Sequence, residues 1–213
     1  MSRELCILLM NIATFAALIP CLVTLFGIKN PSRIPEHRLL TILVWGGAGI
    51  GLLAYYMAAF LESPNLFLLH IYTIFNFVMM TLIFRSIIPR KIMYILLFAY
   101  CGFASINSIW FEHLQTLNVL SRSISAFIIM FYPLVFFLKT LKEMKARHLE
   151  LLPLFWISIG ALFYNAGSFF IFLFSKDISP HEELWITYFG IHAVFTIFLY
   201  IFFAIALWVR PKT

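Results

Sequence analysis

Charged residues are scarce in this sequence. Asp, Glu, Lys and Arg make up 11% of its 213 residues, whereas a soluble domain has about 25%. Hydrophobic residues make up 63%, and a chain of this length cannot bury that much apolar surface in water. Because a lipid bilayer solvates apolar side chains, the composition predicts an integral membrane protein.

Cysteine is also scarce, and its placement excludes two classes of site. Cys6, Cys21 and Cys101 lie in separate apolar stretches, and no two of them form a Cys-x-x-Cys motif. We therefore expect no disulfide and no thiolate metal or redox centre. The three side chains are predicted to pack as small apolar groups.

Acidic residues are absent from the apolar stretches, which argues against an enzyme. These stretches contain two histidines, His70 and His192, but no Asp or Glu. A catalytic zinc takes about three protein ligands, and a Ser-His-Asp set needs an acid, so neither site fits. The last stretch has no lysine for a retinal Schiff base. We expect no cofactor; a haem between the two histidines is the remaining alternative.

Seven stretches are long and apolar enough to cross a bilayer about 30 Å thick, which takes about 20 residues. They cover residues 5–26, 39–61, 66–88, 92–110, 119–138, 151–174 and 184–209. The connectors are short and leave no room for a soluble domain. We therefore predict a single domain over residues 1–213, an all-α bundle of seven transmembrane helices.

The basic residues predict the orientation of this bundle. Alternate crossing places Arg3, Arg122 and Lys176 on one side of the membrane. The other side holds Lys29, Arg33, Arg38, Arg85, Arg90, Lys91, Lys139, Lys142, Lys145, Arg147, Arg210 and Lys212. Because cytoplasmic loops are rich in Lys and Arg, we predict an outer N-terminus and a cytoplasmic C-terminus in a bacterial inner membrane. The net charge of +6 then reflects topology, and no nucleic-acid partner is expected.

Weak parallels between the two halves predict an internal repeat. Pro20 in the first stretch corresponds to Pro133 in the fifth. His70 in the third corresponds to His192 in the seventh, and a Thr-Ile-Phe segment follows each histidine shortly afterwards. The predicted plan is three, one and three helices with parallel halves, a form that transporters also use.

Polar residues within the stretches concentrate in the predicted outer half of the membrane. A polar group in hydrocarbon is costly unless it is paired, and several of these residues share helical faces. We therefore predict a pocket that opens to the outside and is closed below by an apolar inner half. The predicted ligand-binding residues are His70, Tyr72, Asn76, Arg122, Ser125, Tyr164, Asn165, Ser168 and His192.

Three of these residues carry the functional hypothesis. The guanidinium fork of Arg122 suits a carboxylate or another anion, and His70 and His192 are candidate proton or ligand sites. Each residue has a structural alternative. Arg122 could extend to the outer interface, and the histidines could form hydrogen bonds between helices.

Short motifs carry a resemblance to a known group of proteins. The motifs are LHIYT in the third stretch, SRS at the start of the fifth, PLFWI in the sixth and ALW at the end of the seventh. They resemble those of a mostly uncharacterised family of small seven-helix membrane proteins common in Bacteroidetes. The resemblance extends from about Leu39 onward and maps onto His70, Tyr72, Arg122, Trp156, Tyr164, Gly167 and His192. Many members have an acid after the Ser-Arg pair, where this chain has Ser or Ile near Ser125. Many also have an Asn after the Gly of the sixth helix, where this chain has Ser168.

The resemblance implies signalling, because genes of this family often lie beside sensor histidine kinases that lack membrane spans. We therefore predict a receptor-like or sensory protein rather than an enzyme. It would bind a small molecule or lipid headgroup and signal to a cytoplasmic protein by moving the third, fifth and seventh helices around the Pro133 kink. One alternative is a small-solute transporter, although no Pro-Gln pair follows Pro20 or Pro133. The other is a membrane-embedded enzyme.

Overall fold

The regular elements of this chain are helices. The computed structural model describes residues 2–26, 35–143, 148–178 and 180–209. Within these ranges there are nine α-helices, two short 3-10 turns and no strand. The helices are α1 (Arg3–Ala16), α2 (Leu18–Phe26), α3 (Pro35–Phe60), α4 (Leu66–Ile83), α5 (Arg90–Trp110), α6 (Val119–Glu143), α7 (Pro153–Leu173), α8 (Ser175–Ile178) and α9 (Glu182–Trp208).

The helices confirm the seven predicted spans. α1 and α2 together form the first span, and every long helix from α3 onward forms one more. All seven are long and apolar enough to cross a membrane, within the described ranges. This is the architecture of a multi-pass helical membrane protein. α3 begins at Pro35 and α6 ends at Glu143, outside the predicted bounds, because backbone hydrogen bonding continues where hydropathy has already fallen.

The two ends of the bundle carry different charges. At the end where α1, α6 and α9 begin, hereafter the N-terminal end, Arg3 pairs with Glu182 and Lys176 pairs with Glu112. The basic residues described at the opposite end are Arg38, Arg85, Arg90, Lys91, Lys139 and Lys142. The remaining six used to predict the orientation lie outside the described residues: Lys29, Arg33, Lys145, Arg147, Arg210 and Lys212. The orientation stays a prediction.

The first span is interrupted at Ala17. Pro20 has no N–H to donate to the carbonyl of Ala16, and its ring would clash with that carbonyl in a continuous helix. The helix therefore ends at Ala16 and restarts at Leu18. The two segments have different neighbours: both pack on α9, but α2 is the one that packs on α3.

Six spans form a closed ring. α1 and α2 pack on α9, which packs on α7; α7 packs on α6, α6 on α4, and α4 on α3, which returns to α2. α5 lies outside this ring, against α4 and α6. The centre of the ring can therefore hold a cavity or a core, and it holds one of each.

The core fills the half of the ring away from the N-terminal end. Leu40 near the start of α3, Ile157 near the start of α7 and Leu207 at the end of α9 are fully buried there. The imidazole Nε2 of His37 lies 2.9 Å from the carbonyl oxygen of Ala206, which joins the start of α3 to the end of α9. This half of the ring is closed by packed side chains.

Glycines allow α7 and α9 to approach closely. A Cβ added to Gly160 would lie 2.9 Å from Cβ of Phe202, and one added to Gly167 would lie 2.4 Å from the far end of the Phe195 ring. The two glycines are seven residues apart, and so are the two phenylalanines. The pairs therefore repeat along the antiparallel interface, in the small-against-large packing that joins helices in membranes.

We predict that Gly160→Ala lowers the melting temperature of the detergent-purified protein. The added Cβ meets Cβ of Phe202, which is fixed to the α9 backbone and cannot rotate away, so overpacking costs about 1–3 kcal/mol. The matched control is Gly49→Ala, since no atom lies within 4 Å of its added Cβ and alanine favours a helix by about 1 kcal/mol over glycine. An equal loss in both variants would contradict close packing at Gly160.

Candidate functional site

A cavity occupies the centre of the ring toward the N-terminal end. Its volume is about 500 Å³, within the range of about 300–1,000 Å³ that is usual for ligand sites. α1, α3 and α4 supply mostly apolar walls, while α6, α7 and α9 supply polar side chains. The polar residues at one end of the cavity are Tyr72, Arg122, Tyr164, His192, Thr196 and Tyr200.

Arg122, Tyr164 and His192 meet at this polar end. Nη2 of Arg122 lies 3.3 Å from the hydroxyl oxygen of Tyr164, and Nε2 of His192 lies 3.2 Å from the same oxygen. A guanidinium can only donate, so the Tyr164 oxygen accepts from Arg122 and its own proton is available to Nε2 of His192. In that arrangement the imidazole proton is on Nδ1. One hydroxyl thus joins α6, α7 and α9.

Phe172 supports the same cluster with its ring. The guanidinium carbon of Arg122 lies 4.0 Å from the centre of this ring, a contact worth about 0.5–2 kcal/mol depending on desolvation. The imidazole of His192 meets the ring edge-on, with 5.1 Å between centroids. None of the ion pairs within the described residues includes Arg122. A hydroxyl and an aromatic face therefore hold the guanidinium, and no carboxylate in that part of the chain neutralises it.

Two further tyrosines and a threonine extend the polar end. Tyr72 and Tyr200 border the cavity together with Tyr164. The Thr196 hydroxyl donates to the carbonyl of His192 at 2.9 Å. The site therefore combines one guanidinium with several hydroxyls, a set that suits the oxygen atoms of an anion.

A second cavity of about 20 Å³ adjoins the first, about the size of one water molecule. Three of the predicted site residues border both cavities: Tyr72, Arg122 and Tyr164. Three others, Asn76, Ser125 and Asn165, border the small cavity. The Asn165 amide also donates to the carbonyl of Ala161 at 2.7 Å. The small cavity thus connects the polar end to the polar residues of α4, α6 and α7.

The structure does not bring His70 or Ser168 to either cavity. Seven of the nine predicted site residues border one or both, and these two border neither. Ser168 is fully buried, and its hydroxyl has no hydrogen-bond partner among the described residues. His70 is 3% exposed and makes its contacts elsewhere.

His70 fixes the connector between α5 and α6. Its Nδ1 lies 2.9 Å from the hydroxyl of Ser108. Its Nε2 lies 3.1 Å from the carbonyl oxygen of Thr116 and donates to it, because a carbonyl only accepts. The Asn118 amide donates to Thr73 at 2.8 Å. These bonds tie the connector to α4, so His70 matches the structural alternative.

Glu112 ties the same connector to α8, the short helix between α7 and α9. Its carboxylate accepts from Lys176 at 2.9 Å, from the amide of Asn107 at 2.7 Å and from the backbone N–H of Leu120 at 3.1 Å. Glu112 is 4% exposed. Burial by itself raises the pKa of this carboxyl, but the hydrogen bonds from Lys176, Asn107 and Leu120 outweigh it and hold the pKa below its ordinary value.

Three residues of the site escaped the sequence prediction: Phe172, Thr196 and Tyr200. Thr196 and Tyr200 follow His192 by four and eight residues, so the helical period places all three on one face of α9. That signal was present, but the apolar residues around Tyr200 concealed it. Phe172 carries no polar group, and nothing in its sequence context separates it from the other phenylalanines.

We predict that His70→Ala loosens the α5–α6 connector. The variant leaves Ser108 and the Thr116 carbonyl without their partner, at a cost of about 1–3 kcal/mol. Amide hydrogen exchange of residues 111–118 should become faster, because these residues depend on bonds to α4. His192→Ala removes an imidazole from the cavity and is expected to leave their exchange unchanged. Equal acceleration in both variants would refute a separate role for His70.

We predict that acid weakens the fold through Glu112. Its pKa is lowered in the folded protein, so its contribution to stability is complete above the ordinary carboxyl pKa of about 4.3 and is lost as the pH falls through the lowered value. Melting temperatures measured from about pH 6 down to about pH 3 should fall less steeply in Glu112→Gln. Glu62→Gln, at an exposed position of the same end, is the control and should keep the wild-type slope.

Comparison of the chain with protein-family models, with curated proteins and with solved structures finds no match. The resemblance to the Bacteroidetes family therefore stays a prediction. The function is inferred below from the side chains that border the cavity.

Proposed function

We propose that this chain is a receptor-like membrane protein that binds a small anionic molecule in the cavity and signals to a cytoplasmic protein. The proposal takes the N-terminal end as the outer side of a bacterial inner membrane, in keeping with the basic residues at the opposite end. The proposal also assumes that the chain is related to the Bacteroidetes family named above and that its helices follow the plan of three, one and three. The observation that carries it is Arg122, a guanidinium that borders a cavity of ligand size without a carboxylate partner among the described residues.

An anion is the ligand that suits this arrangement. The guanidinium fork binds a carboxylate or phosphate through two parallel hydrogen bonds. The hydroxyls of Tyr72 and Tyr200 border the same space and supply further donors. Because the surroundings have a low dielectric constant, the attraction between the two charges is stronger than in water. Binding would also relieve the cost of an unpaired cation in the membrane.

Packing in the opposite half of the ring favours a receptor over a transporter. A transporter needs a route from its site to both sides of the membrane. Here Leu40, Ile157 and Leu207 are fully buried in that half, and His37 joins α3 to α9 at the far end. The transporter alternative requires these side chains to separate.

α6 is the element best placed to transmit a signal. It carries Arg122 beside the cavity and extends to Glu143 at the opposite end. Pro133 lies inside this helix, where it removes one backbone hydrogen bond and favours bending. A ligand that draws Arg122 from Tyr164 would shift α6 against α7. Lys139 and Lys142, at its far end, would then change their contact with a protein partner or an anionic leaflet.

We predict that a binding anion raises the melting temperature of the detergent-purified protein. Inorganic phosphate, sulfate, short carboxylates and single-chain anionic lipids form the panel. A ligand specific to the native state stabilises it by about 2.7 kcal/mol at a concentration of 100 Kd. The rise should be lost in Arg122→Gln, which cannot pair with an anion, and reduced in His192→Ala.

His70→Ala is the matched control, because it removes a buried imidazole that does not border the cavity. It should melt earlier than the wild type and still show the full ligand-induced rise. A rise that persists in Arg122→Gln, or no rise with any anion, would exclude this function for the cavity. Accumulation of the bound anion inside proteoliposomes would show that the chain is a transporter and not a receptor.

A further inference from the structure

A cleft between α1 and α3 lies between the cavity and the surrounding lipid, on the side of the bundle where these two helices are not packed together. α1 packs along α9 and α3 packs along α4, but α1 and α3 hardly approach each other. They are linked instead through α2, where the indole N–H of Trp45 donates to the Thr24 hydroxyl at 2.9 Å. From this bond toward the N-terminal end the two helices hardly touch each other, and both border the cavity.

Small residues form the two sides of this cleft. Gly47, Gly51, Ala54 and Ala58 follow one another along α3 at steps of three or four residues, which places them on one helical face. Ala13 faces them from α1 across the cavity. A channel of low side-chain bulk therefore leads from the side of the bundle to the polar end.

One aromatic contact crosses the cleft within the part of the chain that the structure describes. Phe15 of α1 and Tyr55 of α3 meet edge to face, with 5.8 Å between ring centroids. Their exposed fractions are 46% and 44%, so both rings lie at the outer surface of the bundle, where lipid would surround them. Tyr55 also borders the cavity. Rotation of these two side chains would remove the contact.

The cavity itself has the polarity of an amphiphile. Its cation and most of its hydroxyls lie at one end, while Thr14 and Tyr55 are the polar side chains among the residues that α1 and α3 contribute to its walls. A small hydrophilic anion would occupy the polar end and leave the apolar walls uncovered. A molecule with one anionic group and one hydrocarbon chain would satisfy both parts.

We propose that the ligand is an anionic single-chain amphiphile of the fatty-acid class, and that it reaches the cavity sideways from the membrane between α1 and α3. Its carboxylate pairs with Arg122 and accepts from the hydroxyl of Tyr72 or Tyr200. Its chain lies along the small-residue face of α3. This inference rests on the proposed function, since it uses the same cavity and the same Arg122, and it adds the ligand class and the route.

The test is photolabelling in phosphatidylcholine nanodiscs. The probe is palmitic acid that carries a diazirine and an alkyne, and mass spectrometry locates the labelled peptides. Labelling is expected in α1 and in the second half of α3. Dodecanoic acid should compete with the probe, and dodecanol, which has the chain without the charge, should not. Arg122→Gln should reduce labelling about tenfold or more, as the loss of charge-assisted hydrogen bonds predicts.

Two glycines of α3 supply a matched pair that leaves the cluster around Arg122 intact. Gly51 borders the cavity, Gly49 does not, and an added Cβ at either position meets no atom within 4 Å. Gly51→Leu should block the channel and reduce labelling about tenfold. Gly49→Leu puts the same side chain on the lipid-facing side of the same helix and should label like the wild type. Similar melting temperatures of the two variants would show that both are folded.

The outcomes separate this inference from the proposed function. If dodecanol competes as well as dodecanoic acid, or if Gly51→Leu labels as strongly as Gly49→Leu, the amphiphile and its lateral route are excluded. The proposed function would still stand if a short carboxylate then raised the melting temperature through Arg122. If no anion of either kind acts through Arg122, both proposals fail.

Discussion

The unpaired guanidinium of Arg122 is the constraint on which the rest of the site depends. A cation at the centre of a membrane helix costs about 2.5–3.5 kcal/mol on insertion scales. Arg122 lies three residues from the start of α6, where the cost is smaller, but the described residues offer no carboxylate to offset it. The hydroxyl of Tyr164 and the ring of Phe172 take the place of a counter-ion. Tyr164 also contacts His192. The position of the Arg122 guanidinium therefore determines how α6, α7 and α9 meet. Lys176 and Glu112 show the opposite case, in which a complete ion pair outside the spans does a purely structural job.

Hydropathy was sufficient to predict the seven spans, because each crosses the same thickness of hydrocarbon and needs a similar run of apolar residues. The concentration of polar residues toward one end of the spans was sufficient to predict that Arg122, Tyr164 and His192 share a pocket. Their depths differ, since Arg122 lies three residues into α6 and His192 ten residues into α9, and the contact depends on the length of the Arg122 side chain. The same argument failed for His70. Its partners are a serine of α5 and a backbone carbonyl of a connector, and the path of a connector cannot be read from periodicity.

Glycine also shows what a sequence pattern can and cannot convey. Gly49 and Gly160 each follow a tryptophan by four residues, yet a Cβ on Gly160 would press on Phe202 while the space beside Gly49 is open. The sequence shows that both positions have no side chain, but the residue that makes a side chain unacceptable at Gly160 comes from another helix. The spacing of Gly47, Gly51, Ala54 and Ala58 was visible in the sequence. Its meaning required the knowledge that α1 leaves this face uncovered.

The repeated pairing of α7 with α9 restricts how the bundle can move. Each phenylalanine of α9 fills the notch of one glycine of α7, and the next notch is a full seven residues away. A small sliding of one helix along the other would drive Cβ of Phe202 and the ring of Phe195 against the α7 backbone at once. α7 and α9 therefore behave as one rigid body, and Tyr164 keeps its position against His192. Motion near the cavity is left to the helices outside this pair. α6 lies on one side of α7 and α9 and α1 lies on the other, so these two helices can move toward a bound ligand while α7 and α9 stay in place.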